Sequence, residues 1–285
     1  MINLPPFLIR DINLEKISFL KKIYLIVFGK FLSLIINKTT GKVFCYFINI
    51  FFKSDGKLFF KENKYFKKLK NKKEIYYPNK RILRIVKNVD FQFNLILNTY
   101  MLNDIDLKDD DVVIDCGANI GELGLALNSY GIDVKYFAFE PEEETFNCLL
   151  KNVDNTEYVF NDALGEENKT KTFYLDSYGG NSSLIDFGTD KKDEVNVITL
   201  DSLNFKFPIK VFKVEAEGYE PEVLKGSRNT LKLIEYVSID FGAERGVDHE
   251  NTVVEVNNIL LRNNFELIKF SNLRTIGLYK NKDYE

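Results

Sequence analysis

Hydrophobic and polar positions change their period along the chain, and the change divides it. From Asp111 to Tyr279, short runs of β-branched and aromatic residues alternate with stretches whose apolar positions recur every three or four residues. That is the pattern of strands joined by crossover helices in a parallel sheet. Strands are predicted over 111–115, 134–140, 158–161, 209–215, 236–241, 265–270 and 274–279, and helices over 123–131, 142–151, 220–225 and 250–262. No helix separates the last two strands, so one strand of the sheet runs antiparallel. Segments 170–176 and 195–200 read as an added hairpin flanking the polar loop Gly179-Gly180-Asn181-Ser182-Ser183. The fold class is therefore α/β, a Rossmann-like, mostly parallel seven-stranded sheet with a terminal antiparallel hairpin.

Before Asp111 the pattern is different. Residues 17–36 are strongly apolar, but Lys21, Lys22 and Lys30 interrupt them and leave no clean run of about twenty apolar residues. No small-residue cleavage site follows, so a signal peptide is not expected. Residues 43–52 form a second apolar run, too short to span a bilayer, and 61–73 are dense in lysine with Phe60, Tyr65, Phe66 and Leu69 among them. These segments predict amphipathic helices and hence a mainly helical N-terminal extension over residues 1–90, ahead of a main domain over 91–285. Ile82, Leu83, Ile85 and Val86 read as a strand, and 91–102 as a helix leading into the core.

Charge sharpens this division. The 285 residues sum to −3, yet residues 1–90 carry 20 Lys/Arg against 6 Asp/Glu, and residues 91–285 carry 19 against 36. A basic arm facing something anionic is expected, with an acidic body that repels nucleic acid. Two readings of residues 1–75 follow. They pack on the main domain or on a second subunit as a homo-oligomer arm, or they form a monotopic surface on an anionic membrane. Packing is the expectation carried forward. Three scattered cysteines, Cys45, Cys116 and Cys148, suit neither a disulfide framework nor a zinc site, and point to a reducing cytosol, with the membrane reading placing the chain at its inner face.

The candidate chemistry begins at Asp115-Cys116-Gly117-Ala118-Asn119-Ile120-Gly121, a strand end, a tight turn and a helix start. Gly117 and Gly121 allow a close backbone approach. Asn119 stands where a dinucleotide fingerprint has its second glycine, which crowds a pyrophosphate but suits a ligand without one. Asp115, Glu140, Asp162, Glu217 and Asp240 each fall at or just past the end of a successive predicted strand, where ligands bind in such sheets. Helix capping explains some acids at such junctions, but Glu is a poor cap. Glu140 lies 25 residues after Asp115, the distance at which an acid meets ribose hydroxyls. A ring of carboxylates also favours a cationic ligand such as S-adenosylmethionine.

These motifs together resemble the FkbM-type S-adenosylmethionine-dependent methyltransferases. Asp115 to Gly121 is similar to the family's Asp-x-Gly-Ala-Asn-x-Gly loop, and Glu140-Pro141 to its Glu-Pro segment. Ala163-Leu164-Gly165 and Asn181 to Leu184 fit the following blocks. Lys213-Val214-Glu215-Ala216-Glu217-Gly218, with Glu220, Val223, Leu224, Lys225 and Gly226, resembles Lys-x-Asp-x-Glu-Gly…Glu-x-x-Val-Leu-x-Gly; Asp240-Phe241-Gly242, with Glu244, Arg245 and Gly246, is similar to a later block. One departure stands at Glu215, where the family has Asp. The resemblance implies a class I methyltransferase fold and methyl transfer to a hydroxyl oxygen, commonly of a sugar or glycan.

On this reading Asp115, Gly117, Asn119, Gly121, Glu140 and Asp162 line the cofactor site. Alternation in the fourth strand points Glu215 and Glu217 together. Glu217 is then the expected base, with Glu215 and Asp240 supporting it, and the same acids are an alternative magnesium site. The competing readings are an NAD(P)-binding oxidoreductase, which Asn119 and the terminal hairpin disfavour, and a non-catalytic membrane-associated module. His249 reads as a cap-region residue near the helix start rather than a base.

Overall fold

The computed structural model describes all residues except 1–4, 10, 11, 14, 53, 177–179, 272, 273 and 285. The chain forms two compact units, Met1–Gln92 and Phe93–Glu285.

In the first unit, helices Phe19–Lys38 and Gly41–Phe51 form where the apolar runs predicted them. The lysine-dense stretch corrects the expectation of a helix. Strands Gly56–Lys61, Lys64–Leu69 and Glu74–Tyr77 form an antiparallel meander. Glu62 and Asn63 both take left-handed conformations, φ 52° and 58°, as a two-residue hairpin turn requires. Leu58, Tyr65, Ile75 and Tyr77 point to one buried face at period two. Lys67 joins them because its ammonium is neutralised by Asp55 and donates to the Ile85 carbonyl at 2.5 Å. Ile82 to Ile85 lie in a 3₁₀ turn, not a strand. Asn79 starts that turn by accepting from the Arg81 amide at 2.9 Å. Among the described residues no helix is long and apolar enough to cross a membrane.

The second unit holds the expected sheet: β1 Val112–Cys116, β2 Lys135–Phe139, β3 Val159–Phe160, β4 Ile209–Val214, β5 Ile234–Asp240, β6 Phe265–Phe270 and β7 Ile276–Asn281. The spatial order is β6-β7-β5-β4-β1-β2-β3, parallel except for β7, which runs antiparallel to both neighbours. Residues 169–174 and 192–198 pair as a hairpin in a separate small sheet with Ala163–Leu164. One face of the main sheet is apolar throughout, with Ile114, Phe139, Phe212 and Ile239 packed with Val223, Leu224, Val256 and Leu260. The opposite face carries a buried polar row. Ser238, Lys213 and Asp115 stand in register on β5, β4 and β1.

Candidate active site

Five adjacent strands, β5-β4-β1-β2-β3, deliver acids to one edge of the sheet. Asp240 ends β5, Glu215 and Glu217 follow β4, Asp115 precedes the end of β1, Glu140 follows β2 and Asp162 lies just past β3.

The loop after β1 explains the two-residue spacing of its small residues. Gly117, Asn119 and Gly121 all have positive φ, 72°, 53° and 82°, and the loop ends by capping helix Glu122–Ser129. A Cβ on Gly117 would lie 2.0 Å from the Glu215 carbonyl oxygen, so the loop touches the residue after β4. Gly117→Ala is expected to cost more than about 3 kcal/mol in urea unfolding, against about 1 kcal/mol for Gly131→Ala. Gly131 has φ 77° but open space where its Cβ would be. Equal losses at the two sites would show that the close approach is unimportant.

Glu140 is buried, and its carboxylate is held from both sides. The amides of Asn119 and Glu142 donate to Oε2 and Oε1, each at 2.9 Å. Burial nevertheless raises its pKa to about 7. Each oxygen keeps a lone pair for a further donor. Asn161, beside it on the β3 side, donates to the Glu140 carbonyl at 2.9 Å. Asp162 is half-buried, and burial raises its pKa.

Asp115 lies beneath the loop. Its Oδ1 meets the Lys213 ammonium at 2.9 Å, and its Oδ2 accepts from the Tyr136 hydroxyl. Lys213 also donates to the carbonyls of Cys116 at 3.0 Å and Gly117 at 2.8 Å, and lies 3.4 Å from Glu215 Oε2. Burial alone would lower the Lys213 pKa; the Asp115 and Glu215 carboxylates overcome it and raise it. This lysine ties the cofactor-loop candidate to the strand carrying the catalytic candidates.

The second cluster centres on Arg274. It donates to Glu215 Oε1 at 2.6 Å, lies 2.9 Å from Asp240 Oδ2, and reaches Glu244 Oε1 at 3.3 Å. The long arm of Glu215 also accepts from the buried Tyr100 hydroxyl. Burial pushes Asp240 up to about 6, against the pull of Arg274.

Glu217 stands near these groups for a reason other than strand alternation. β4 ends at Val214, and Glu217 sits in a turn with φ 50°, followed by Gly218 at 94°. A non-glycine residue in this region is strained. Three side chains hold the turn. Glu220 Oε1 accepts from the Ala216 and Gly218 amides at 3.0 and 3.1 Å. Ser183 donates to the Glu217 carbonyl at 2.8 Å, and Arg245 to that of Gly218 at 2.6 Å. Glu220 therefore shapes the turn rather than capping a helix. Glu217 Oε2 is buried with no hydrogen-bond partner among the described residues. Burial, then the Glu215 and Glu244 carboxylates, raise the Glu217 pKa to about 10.

Sequence reasoning assigned no role to Tyr100, Tyr136 or Arg274, and Lys213 and Glu244 entered only as parts of motifs. His249, at φ 52°, lies in the turn between 243–245 and 250–251, ahead of helix Val253–Arg262 rather than at its cap. Of the glycine-rich loop, Gly179 lies outside the described residues.

The family described as Methyltransferase FkbM domain matches residues 115–267. The hexuronic acid methyltransferase AglP of Haloferax volcanii is 30% identical over 152 residues, covering 50% of this chain and 59% of that protein. The chain thus spans less than two thirds of that curated relative. Similar solved structures include a methyltransferase FkbM from Methylobacillus flagellatus KT, 17% identical with TM-score 0.44, covering 70% of this chain and 52% of that one. Another is a SAM-dependent methyltransferase from Aquifex aeolicus, 16% identical with TM-score 0.39, covering 67% and 97%.

Proposed function

Because the chain belongs to the FkbM methyltransferase family, we propose that it transfers a methyl group from S-adenosylmethionine to a hydroxyl oxygen of a sugar or glycan. The observation that carries this reading is Glu217, on a strained backbone and half-buried, with one carboxyl oxygen buried and unpartnered among the described residues beside an edge of acids. Likeness to a relative named for hexuronic acid supports the sugar.

The residues fit the cofactor. Glu140 presents two oxygens, each fixed by one amide and each with a lone pair for a ribose hydroxyl. Gly117, Asn119 and Gly121 shape the loop beside it, Asp162 is assigned to the same cofactor one strand further, and Asp115 holds the loop through Lys213. S-adenosylmethionine supplies a methyl group on a sulfonium. At neutral pH Glu217 holds a proton. Positive charge brought beside it favours the carboxylate. Glu217 would then release that proton to bulk solvent as the cofactor binds, and afterwards accept the one leaving the acceptor hydroxyl. Glu215 and Asp240, both paired with Arg274, fix the surroundings of this turn.

The magnesium alternative does not fit as well. Among the described residues no group of three metal-ligating side chains is placed to hold an ion, and a guanidinium occupies the midst of the acids. Wild-type turnover is therefore expected to be indifferent to a chelator.

Titration with S-adenosylmethionine and with NAD tests the reading, since only the first should bind. Binding of neither would favour a non-catalytic module. Glu140→Ala should weaken S-adenosylmethionine by about 1.5–3 kcal/mol. Wild-type affinity should also rise as pH rises through about 7, where Glu140 loses its proton and frees the lone pair that proton occupied. Glu140→Gln should flatten that slope. Unchanged affinity in folded Glu140→Ala would remove this residue from the site. Mass spectrometry of glycans made with and without the protein, seeking loss of one methylene mass, would identify the acceptor.

A further inference from the structure

Helix Phe19–Lys38 is apolar on two sides. Leu25, Gly29 and Leu32 are buried, and Phe44, Cys45 and Ile48 are the buried side of helix Gly41–Phe51. The two helices meet through Phe31 and Phe51, whose rings lie 5.7 Å apart. That packing leaves a second stripe open. Leu20, Tyr24, Val27, Phe31 and Leu34 recur at alternating steps of four and three, and are 50–78% exposed. Val43, Tyr46 and Ile50 add a stripe of the same kind on the shorter helix, 54–64% exposed. Eight large apolar side chains exposed at regular helical spacing mark an interaction site.

Charge decides what covers it. From Lys16 to Ser54 the chain has seven lysines and no Asp or Glu. Lys21, Lys22, Lys30, Lys38 and Lys42 are all exposed. The four-three spacing would also suit a second copy of the helix, but self-pairing would set lysines against lysines with no acid to answer them. An anionic surface answers them directly. A helix with an apolar face and lysines beside it lies in a lipid interface, gaining from acyl burial and from headgroup charge together.

We propose that helices 19–38 and 41–51 dock this chain on an anionic lipid bilayer, lying on it without crossing it. The apolar stripe enters the headgroup–acyl boundary and the lysines meet lipid phosphates. This surface is independent of the methyl-transfer reading, and its test involves no turnover.

The test is co-sedimentation of the full chain with phosphatidylcholine vesicles, with and without phosphatidylglycerol. Binding to the anionic vesicles should exceed binding to the neutral ones by about tenfold or more. It should fall as salt rises toward 1 M, where the Debye length shrinks to about 3 Å. The double variant Val27→Asp, Leu34→Asp should lose vesicle binding while melting as the wild type does, because both side chains are already exposed. Lys21→Gln with Lys22→Gln and Lys30→Gln should erase the preference for phosphatidylglycerol. Absence of wild-type binding to either vesicle would overturn the proposal. So would a dimer in light scattering that the double aspartate variant splits, without any vesicle binding, which would assign the face to a second copy.

Discussion

Glu217→Gln is expected to give a more stable protein and a poorer catalyst. The carboxyl has an ordinary pKa near 4.5 and one raised to about 10 in the folded chain, chiefly by burial. Between those values the folded state holds a proton that the unfolded state has released, so this residue's contribution to stability declines as pH rises. Glutamine has no proton to lose and keeps the shape. The variant's advantage should therefore be small near pH 5 and grow toward pH 8.5, reaching about 1–3 kcal/mol, discounted for its coupling to Glu215 and Glu244. Thermal melts at the two pH values read this directly. Turnover should fall by about 10²–10⁴ if Glu217 accepts the hydroxyl proton, and S-adenosylmethionine should bind more weakly as well, because a charge that favours the Glu217 carboxylate is in turn held by it. Near-normal turnover would remove Glu217 from catalysis. A stability gain equal at both pH values would sink the electrostatic account while leaving the catalytic one standing.

The main sheet was legible because its strands alternate with helices of ordinary length and end in acids. The strand-end rule found Glu140 and Glu217 without reference to their partners. What stayed hidden depends on contacts distant in sequence. Tyr100 reaches Glu215 across 115 positions, and Arg274 reaches it across 59; no local pattern records either. Lys213 was concealed differently. It sits between Phe212 and Val214 on a strand buried on both faces, where a lysine is tolerated only because Asp115 lies in register beside it. The same effect hid the N-terminal meander. Lys67 is buried against Asp55, so treating each lysine as solvent-facing blurred the period of two. Glu217 reached its neighbours through a left-handed turn that strand alternation does not anticipate.

Lys213→Met should be strongly destabilising. The side chain is 3% exposed, and its ammonium is shared among Asp115, Glu215 and two carbonyls of the β1 loop. Methionine fills similar space but supplies no charge, so Asp115 is left buried with the Tyr136 hydroxyl as its remaining side-chain donor. Removing one partner of such a pair costs about 3–5 kcal/mol, because the other charge stays behind. The loop carbonyls of Cys116 and Gly117 lose their donor as well, so cofactor affinity should fall with stability. Asp115→Asn separates the two effects. In that background no charge is stranded, and the additional cost of Lys213→Met should shrink by about half or more in urea unfolding. An undiminished cost would place the work of Lys213 in its carbonyl bonds rather than in the ion pair. A Lys213→Met protein as stable as the wild type but unable to bind S-adenosylmethionine would instead make this lysine a direct ligand of the cofactor.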